Sequence, residues 1–377
     1  MYLNIYHKNS LLYTTILVFT LCVFIFSKMV FSDIGDYPGH LELSNLIQDK
    51  KIPVPANFLP YSIINLSEDI LVKQWIIIAI TSISTTLKFL VTFLFTKHFL
   101  PNGKRNVTVT IALVMLVIFS IPNIKVVTHN LYYLTNFTTN VWHNTTIIFL
   151  MPFALLLYYS IFIKQQNVWI ISLLVILNII IKPSFIFIII PLLLVVQIFD
   201  FDQKRICLKI NWRYLTIISV CIITIIVEYL FLYKIKNSTD DKVVLDFFPF
   251  CNNYWDYVHI IITVVCSYFF PLMLIFFSLK DKIEISKYQL HSIALVVFAL
   301  IINFSFVETG SRRYHGNFSW QIIPASYFLM LFSLISFAKN YRGFKTLHRY
   351  LLNFSISAHT FYGIFYIARI LILNKYE

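Results

Sequence analysis

Runs of apolar residues, each close to the ~20 needed to carry a helix across ~30 Å of hydrocarbon, recur along the whole chain and restrict its fold more than any other feature. Roughly residues 11 to 32 form the first of them, and LHRYLLNFSISAHTFYGIFYIARILIL, near the carboxyl end, holds the last. Inside a bilayer every backbone N–H and C=O must find a partner within the protein, so such runs are either helices or strands of a closed barrel. Barrel strands read as short alternating segments, and none occur here. The sequence therefore predicts an all-α, polytopic integral membrane helix bundle, one membrane domain over residues 1–377. Composition agrees: 59% of residues are apolar and only 12% charged, against about 25% charged in soluble domains.

Spans are expected at roughly 11–32, 74–96, 107–122, 144–163, 168–181, 184–199, 214–233, 257–279, 290–306, 322–338 and 351–373. That is about eleven, with ten to twelve allowed because the pair flanking Lys182-Pro183 is short. The first run is longer than a signal-peptide core and has no small-x-small cleavage site, so it reads as a retained anchor. The net charge of +13 is spread over short loops without a run of five bases, which argues against nucleic acid as a partner. It orients the chain instead: Lys97, Lys104, Arg105, Lys164, Lys204, Arg205, Lys280, Lys282, Arg342 and Lys345 fall on one side, which makes that side and the amino terminus cytoplasmic. Five cysteines, Cys22, Cys207, Cys221, Cys251 and Cys266, show neither a disulfide framework nor a metal spacing.

The outer loops, above all 33–73 and 307–321, then collect the residues able to do chemistry. The stretch FSDIGDYPGHLELSNLIQDKKIPVP, residues 31–55, holds Asp33, Asp36, His40, Glu42 and Asp49 in a chain poor in charge. Asp36 is placed to cap a helix opening at Tyr37-Pro38. In that helix Leu43, Leu46 and Ile47 share a face, so it is expected to lie along the membrane surface until the proline-rich segment 52–64 turns the chain back. A second constellation is VETGSRRYHGNFSWQ, residues 307–321. Arg312 and Arg313, with His315 nearby, offer forked donors to a phosphate or diphosphate, and Glu308 can orient one of them. Lys182, at the tip of the short hairpin, can add to that phosphate site or simply snorkel.

An acidic residue just after the first span, an amphipathic helix on the outer surface and a proline-rich return resemble the first loop of the GT-C superfamily of membrane glycosyltransferases. The Lys-Pro break in IIKPSFIFIIIPLLL is similar to one found in some of those chains. The resemblance covers mainly residues 11–200. It implies a sugar taken from a polyprenyl-phosphate or diphosphate carrier, with Asp36, or failing it Asp33, as the carboxylate that receives the acceptor's proton or orients it. Sugar or acceptor contacts fall to His40 and Glu42 and to the aromatic residues Trp255, Tyr314 and Trp320, whose flat faces suit a sugar ring. No cofactor is called for. No residue is assigned to a metal: a divalent ion is open, but the two-acid pattern of the metal-dependent relatives is not evident beyond Asp33 and Asp36.

Other polar residues have blander readings. His129, Trp142 and His143 fit an interfacial belt with a helix-capping neighbour. Glu228, inside a span, is best paired structurally with Lys88 or Arg369, which also lie within spans. The sequence thus leads to a glycosyltransferase of a bacterial-type inner membrane, active on the outer face, with a polyprenyl-phosphate-linked sugar as donor and a glycan or lipid-linked acceptor. The alternatives are an O-antigen-type polysaccharide polymerase and, from another class, a transporter or flippase.

Overall fold

In a computed structural model the chain is described over residues 2–51, 55, 57–101, 105–122, 137–208, 210–230, 242–248, 257–309 and 317–374. Helices dominate: α1 (Tyr2–Phe31), α2 (Tyr37–Gln48), α3 (Phe58–Ile64), α4 (Ile70–Phe99), α5 (Arg105–Val117), α6 (Thr145–Tyr158), α7 (Val168–Ile181), α8 (Ser184–Ile198), α9 (Trp212–Tyr229), α10 (Tyr257–Ser267), α11 (Phe269–Lys280), α12 (Lys287–Ser305), α13 (Ile322–Lys339) and α14 (Thr346–Leu373). Two small antiparallel ladders accompany them. One pairs β1 (Phe199–Asp200) with β2 (Arg205–Ile206), and the other pairs β3 (Val243–Leu245) with β4 (Phe306–Glu308).

This is a helical membrane protein. Among the described residues seven helices are long and apolar enough to cross a bilayer, or eight if α10 and α11, bent by 71° at Tyr268, form one span. The remaining expected spans correspond to α5, α7 and α8, which are apolar but shorter. At 1.5 Å per residue α7 and α8 reach only about 21 and 23 Å. The helix expected over 107–122 stops at Val117.

The centre of the bundle is α13, 94% of whose apolar window is buried and which packs most extensively on α12. Its small and aromatic residues, among them Ala325, Tyr327, Phe328 and Phe332, fill the space between neighbours at 2% exposure or less. By contrast α1 and α9 are buried over only 17% of their windows, and large apolar side chains such as Phe24, Ile223 and Val227 face outward, as lipid-facing residues do.

Within this core lies backbone that is not helical. Beyond Val117 the chain runs extended through Ile118, Phe119 and Ser120, all buried, and residues 137–144 are irregular and buried as well. Non-helical backbone away from water requires partners inside the protein. Asn140 Nδ2 donates to the carbonyls of Met115 and Ile118 at 3.0 and 2.7 Å, and Thr139 Oγ1 donates to Ile118 O at 2.6 Å. Phe119 N–H donates to His359 O at 3.2 Å, while His359 Nδ1 meets Phe119 O at 2.7 Å. The last carbonyls of α5, orphaned where the helix stops, are thereby satisfied.

Lys88 joins the same network, donating to Asn140 Oδ1 at 2.8 Å with its ammonium 5.5 Å from the Tyr327 ring centre. The sequence reading that pairs it with Glu228 is thus replaced by an amide and an aromatic face. Glu228 lies on α9, which packs on α7 and α8, and its Oε1 is buried without a hydrogen-bond partner among the described residues.

Helix α14 closes on this break through Gly363, where an added Cβ would lie 1.6 Å from the carbonyl oxygen of Val117. Gly363→Ala must therefore push α14 away from the end of α5. The expected cost is about 1–3 kcal/mol, measured as a lower thermal midpoint in detergent. An unchanged midpoint would contradict the contact.

Candidate functional site

At one end of the bundle α1 gives way to a tight turn. Ile34 N–H donates to Met29 O at 2.9 Å, Asp33 adopts a φ of 53° and Gly35 a φ of 75°. Gly35 is needed for space as well as for backbone conformation, since a Cβ there would sit 2.4 Å from the Cβ of His143. The turn sets Asp36 at the start of α2 with Pro38 in the first turn.

Helix α2 is docked by polar contacts. Tyr37 is fully buried and its hydroxyl donates to Trp142 O at 2.7 Å. One turn on, His40 Nδ1 meets the Tyr61 hydroxyl of α3 at 2.8 Å. Ser44 donates to Asn65, and Lys73, in the first turn of α4, donates to Asn45 Oδ1 at 2.6 Å and Gln48 Oε1 at 2.5 Å. The fully buried positions of α2 are accordingly Tyr37, His40, Leu41 and Ser44. Leu43, Leu46 and Ile47, the shared apolar face, are half-buried. The reason is that α3 and α4 offer hydrogen-bonding partners a turn apart, a demand stronger than that of a partly wet apolar stripe.

Asp36 occupies the helix-capping position but makes no side-chain cap bond. Its Oδ2 accepts from Asn144 Nδ2 at 2.8 Å, and its N–H donates to His143 O at 3.2 Å. Asn144 is itself the cap of α6, its Oδ1 accepting from Ile147 N at 3.1 Å and Thr146 Oγ1 at 2.8 Å. Thr146 in turn accepts from Lys182 Nζ at 3.2 Å, and that ammonium lies 4.5 Å from the centre of the Trp320 ring. A chain of contacts thus runs from Asp36 through Asn144 and Thr146 to Lys182 and Trp320. Lys182 turns inward here and does not snorkel.

Charge ties the group together. Burial pulls the Lys182 ammonium down to about 7, against the opposing pull of the Asp36 and Glu308 carboxylates. Burial also lowers His40 to about 4, with Asp36 raising it and Lys182 and His143 lowering it further. His143 is lowered by burial to about 4, again against Asp36. Both imidazoles are therefore neutral at pH 7. One carboxylate, one readily titrating ammonium and two neutral imidazoles thus lie within electrostatic reach of one another.

Of the residues singled out in the sequence, the structure brings together Asp36, His40, Lys182 and Trp320, with Glu308 within electrostatic reach. Asp33 and Glu42 are exposed and take no part. Glu42, two residues from His40, lies on the opposite side of α2. Arg312, Arg313, Tyr314, His315, Trp255 and His129 lie outside the described residues. The base of the 307–321 loop is nevertheless closed by Asn317 donating to Glu308. Trp142 and His143, read as belt residues, are buried to 5% and 2% exposure, and the helix cap beside them is Asn144.

Asn144, Thr146 and Tyr61 had no part in the sequence reading. The only signal for the first two is the Asn-Thr-Thr opening of an apolar run, which reads as an ordinary cap. Among the described residues no three His, Cys, Asp or Glu side chains are grouped to hold a metal ion. No protein-family model, curated protein or solved structure matches the chain.

The proximity of Lys182 and Asp36 is open to titration. In a ¹³C-lysine spectrum Lys182 should titrate near pH 7, well below the ordinary lysine range, and Lys182→Arg should remove that step. Because Asp36 raises the Lys182 value, Asp36→Asn should move the step to lower pH; a step that stays in place would refute the coupling.

Proposed function

We propose that this chain is a GT-C-like glycosyltransferase that moves a sugar from a polyprenyl-phosphate carrier to a lipid-linked glycan or surface polysaccharide, with the α2 end of the bundle facing out of the cell. The observation carrying this reading is that Asp36 does not cap its own helix and is bound instead by Asn144, in a chain of contacts that ends at Lys182. A sugar hydroxyl is a poor nucleophile until a positioned base takes its proton in the transition state, and Asp36 is that base. The leaving carrier phosphate gathers negative charge as the glycosidic bond breaks, and Lys182, taking up a proton near neutrality, stabilises it.

An apolar groove of about 410 Å³ runs beside the β3–β4 ladder, walled by Phe247, Phe248, Val297, Ile301 and Phe304. It suits the alkyl chain of such a carrier, since β4 leads from the groove to Glu308. Arg312 and Arg313 belong to the same loop, and in this reading they complete the grip on the phosphate.

Transport is favoured by one feature, the interrupted helices: α5 ends short and α10–α11 bends by 71°. Against it, Asn140, Thr139 and His359 already occupy the carbonyls of Met115, Ile118 and Phe119 where α5 ends. Asp36→Asn separates the classes. Transfer from a polyprenyl-phosphate-linked sugar should fall by about 10²- to 10⁴-fold while the protein remains inserted and monodisperse. Full transfer in that variant would remove Asp36 as the base.

A further inference from the structure

His40 carries a buried ring nitrogen that no described residue satisfies. The residue is 8% exposed, and its Nε2 has no partner among the described residues, although Nδ1 is engaged by the Tyr61 hydroxyl at 2.8 Å. A buried polar atom left in this state costs as much as a lost hydrogen bond, and in folded proteins it marks the place of a water or a ligand. The atom lies where a ligand is wanted, since Asp36, Lys182 and His143 all act on the His40 charge. Asp36 is four residues earlier on the same helical face, its carbonyl accepting from His40 N–H at 2.9 Å.

The partner on the other side fixes what Nε2 can do. The Tyr61 hydroxyl is itself buried, at 3% exposure, and its proton needs an acceptor. The acceptor within reach of it is His40 Nδ1, at 2.8 Å. The phenol then spends its own proton on His40 Nδ1, which leaves the ring proton on Nε2. The cluster consequently presents two donors, the Lys182 ammonium and the His40 Nε2–H, beside one acceptor, the Asp36 carboxylate. Two donors suit the acceptor-only oxygens of a phosphoryl group, and the carboxylate suits a neighbouring hydroxyl.

We infer that His40 is a substrate-contacting residue whose Nε2–H donates to a phosphoryl oxygen of a ligand held between it and Lys182, and that Tyr61 is a positioning residue that sets the His40 tautomer. This rests on the reading that the cluster receives a phosphate ester. It adds a neutral donor, one that keeps its proton through the pH range in which Lys182 titrates.

Binding of farnesyl phosphate and of inorganic phosphate to the purified full-length protein, followed by ³¹P spectra and calorimetry, tests the assignment. His40→Leu should weaken farnesyl phosphate at least tenfold, while His40→Gln, whose amide can place an N–H near the same point, should recover most of the loss. Tyr61→Phe should weaken binding by a smaller factor. In ¹⁵N-histidine spectra it should also reduce the protonated Nε2 signal, which a purely structural role for Tyr61 would leave in place. Equal affinity in wild type and a folded His40→Leu protein would overturn the inference alone, with the cluster still a phosphate site. No binding of either probe to wild type would overturn both the inference and the phosphate reading beneath it. If inorganic phosphate binds as tightly as the prenyl ester, and His40→Leu weakens both, the His40 contact stands and the lipid carrier does not.

Discussion

The side chain of Asn140 is the interaction on which the rest of the structure depends. Its amide nitrogen serves two carbonyls at the abandoned end of α5, and its amide oxygen receives the Lys88 ammonium. A membrane protein cannot leave backbone unsatisfied in its apolar interior, so a segment such as 137–144 exists only because these partners are there. The same bond holds Lys88, a buried cation whose hydrogen bond goes to an amide and not to a carboxylate. The carbonyl ends of α5 lie on the far side of that amide and favour a positive charge, as helix C-termini do.

From that anchor the chain continues through Val141 and Trp142 to His143 and Asn144, and the site is built on what it carries. Trp142 packs against Phe26 of α1 at 5.6 Å between ring centres and accepts from Tyr37 of α2, locking the α1–α2 corner to the segment. Asn144 then divides its amide, the oxygen capping α6 and the nitrogen holding Asp36. A carboxylate held by a neutral amide at one oxygen keeps further lone pairs free to accept hydrogen bonds. Lys182 remains separated from Asp36 by Thr146, close enough to respond to the carboxylate's charge without a direct ion pair quenching both groups.

Asp36 was legible in the sequence because a carboxylate beside a long apolar run is an anomaly that composition alone reveals. The far end of that chain of contacts was legible in part: Lys182 stands out between two apolar helices, and Trp320 by its place beside the arginine pair. Asn144, Thr146 and Tyr61 were not, since polar uncharged residues near helix ends have an adequate local explanation. What recruits Asn144 is a carboxylate 108 positions earlier. The side of α2 buried against the protein was not legible either: hydrophobic periodicity reports what water rejects, while that side is held by hydrogen-bond partners on α3 and α4.

By itself the sequence determined that this chain is a helical membrane protein and where its longer apolar helices run. Hydrocarbon thickness and backbone satisfaction are demands that each segment meets alone, so each leaves its mark locally in length and composition. Only the tertiary structure decided that α5 stops at Val117, that His143 is buried and that Asp36 faces Lys182. Those outcomes depend on pairs such as His359 with Phe119, 240 residues apart, whose energies exist only once the helices have packed.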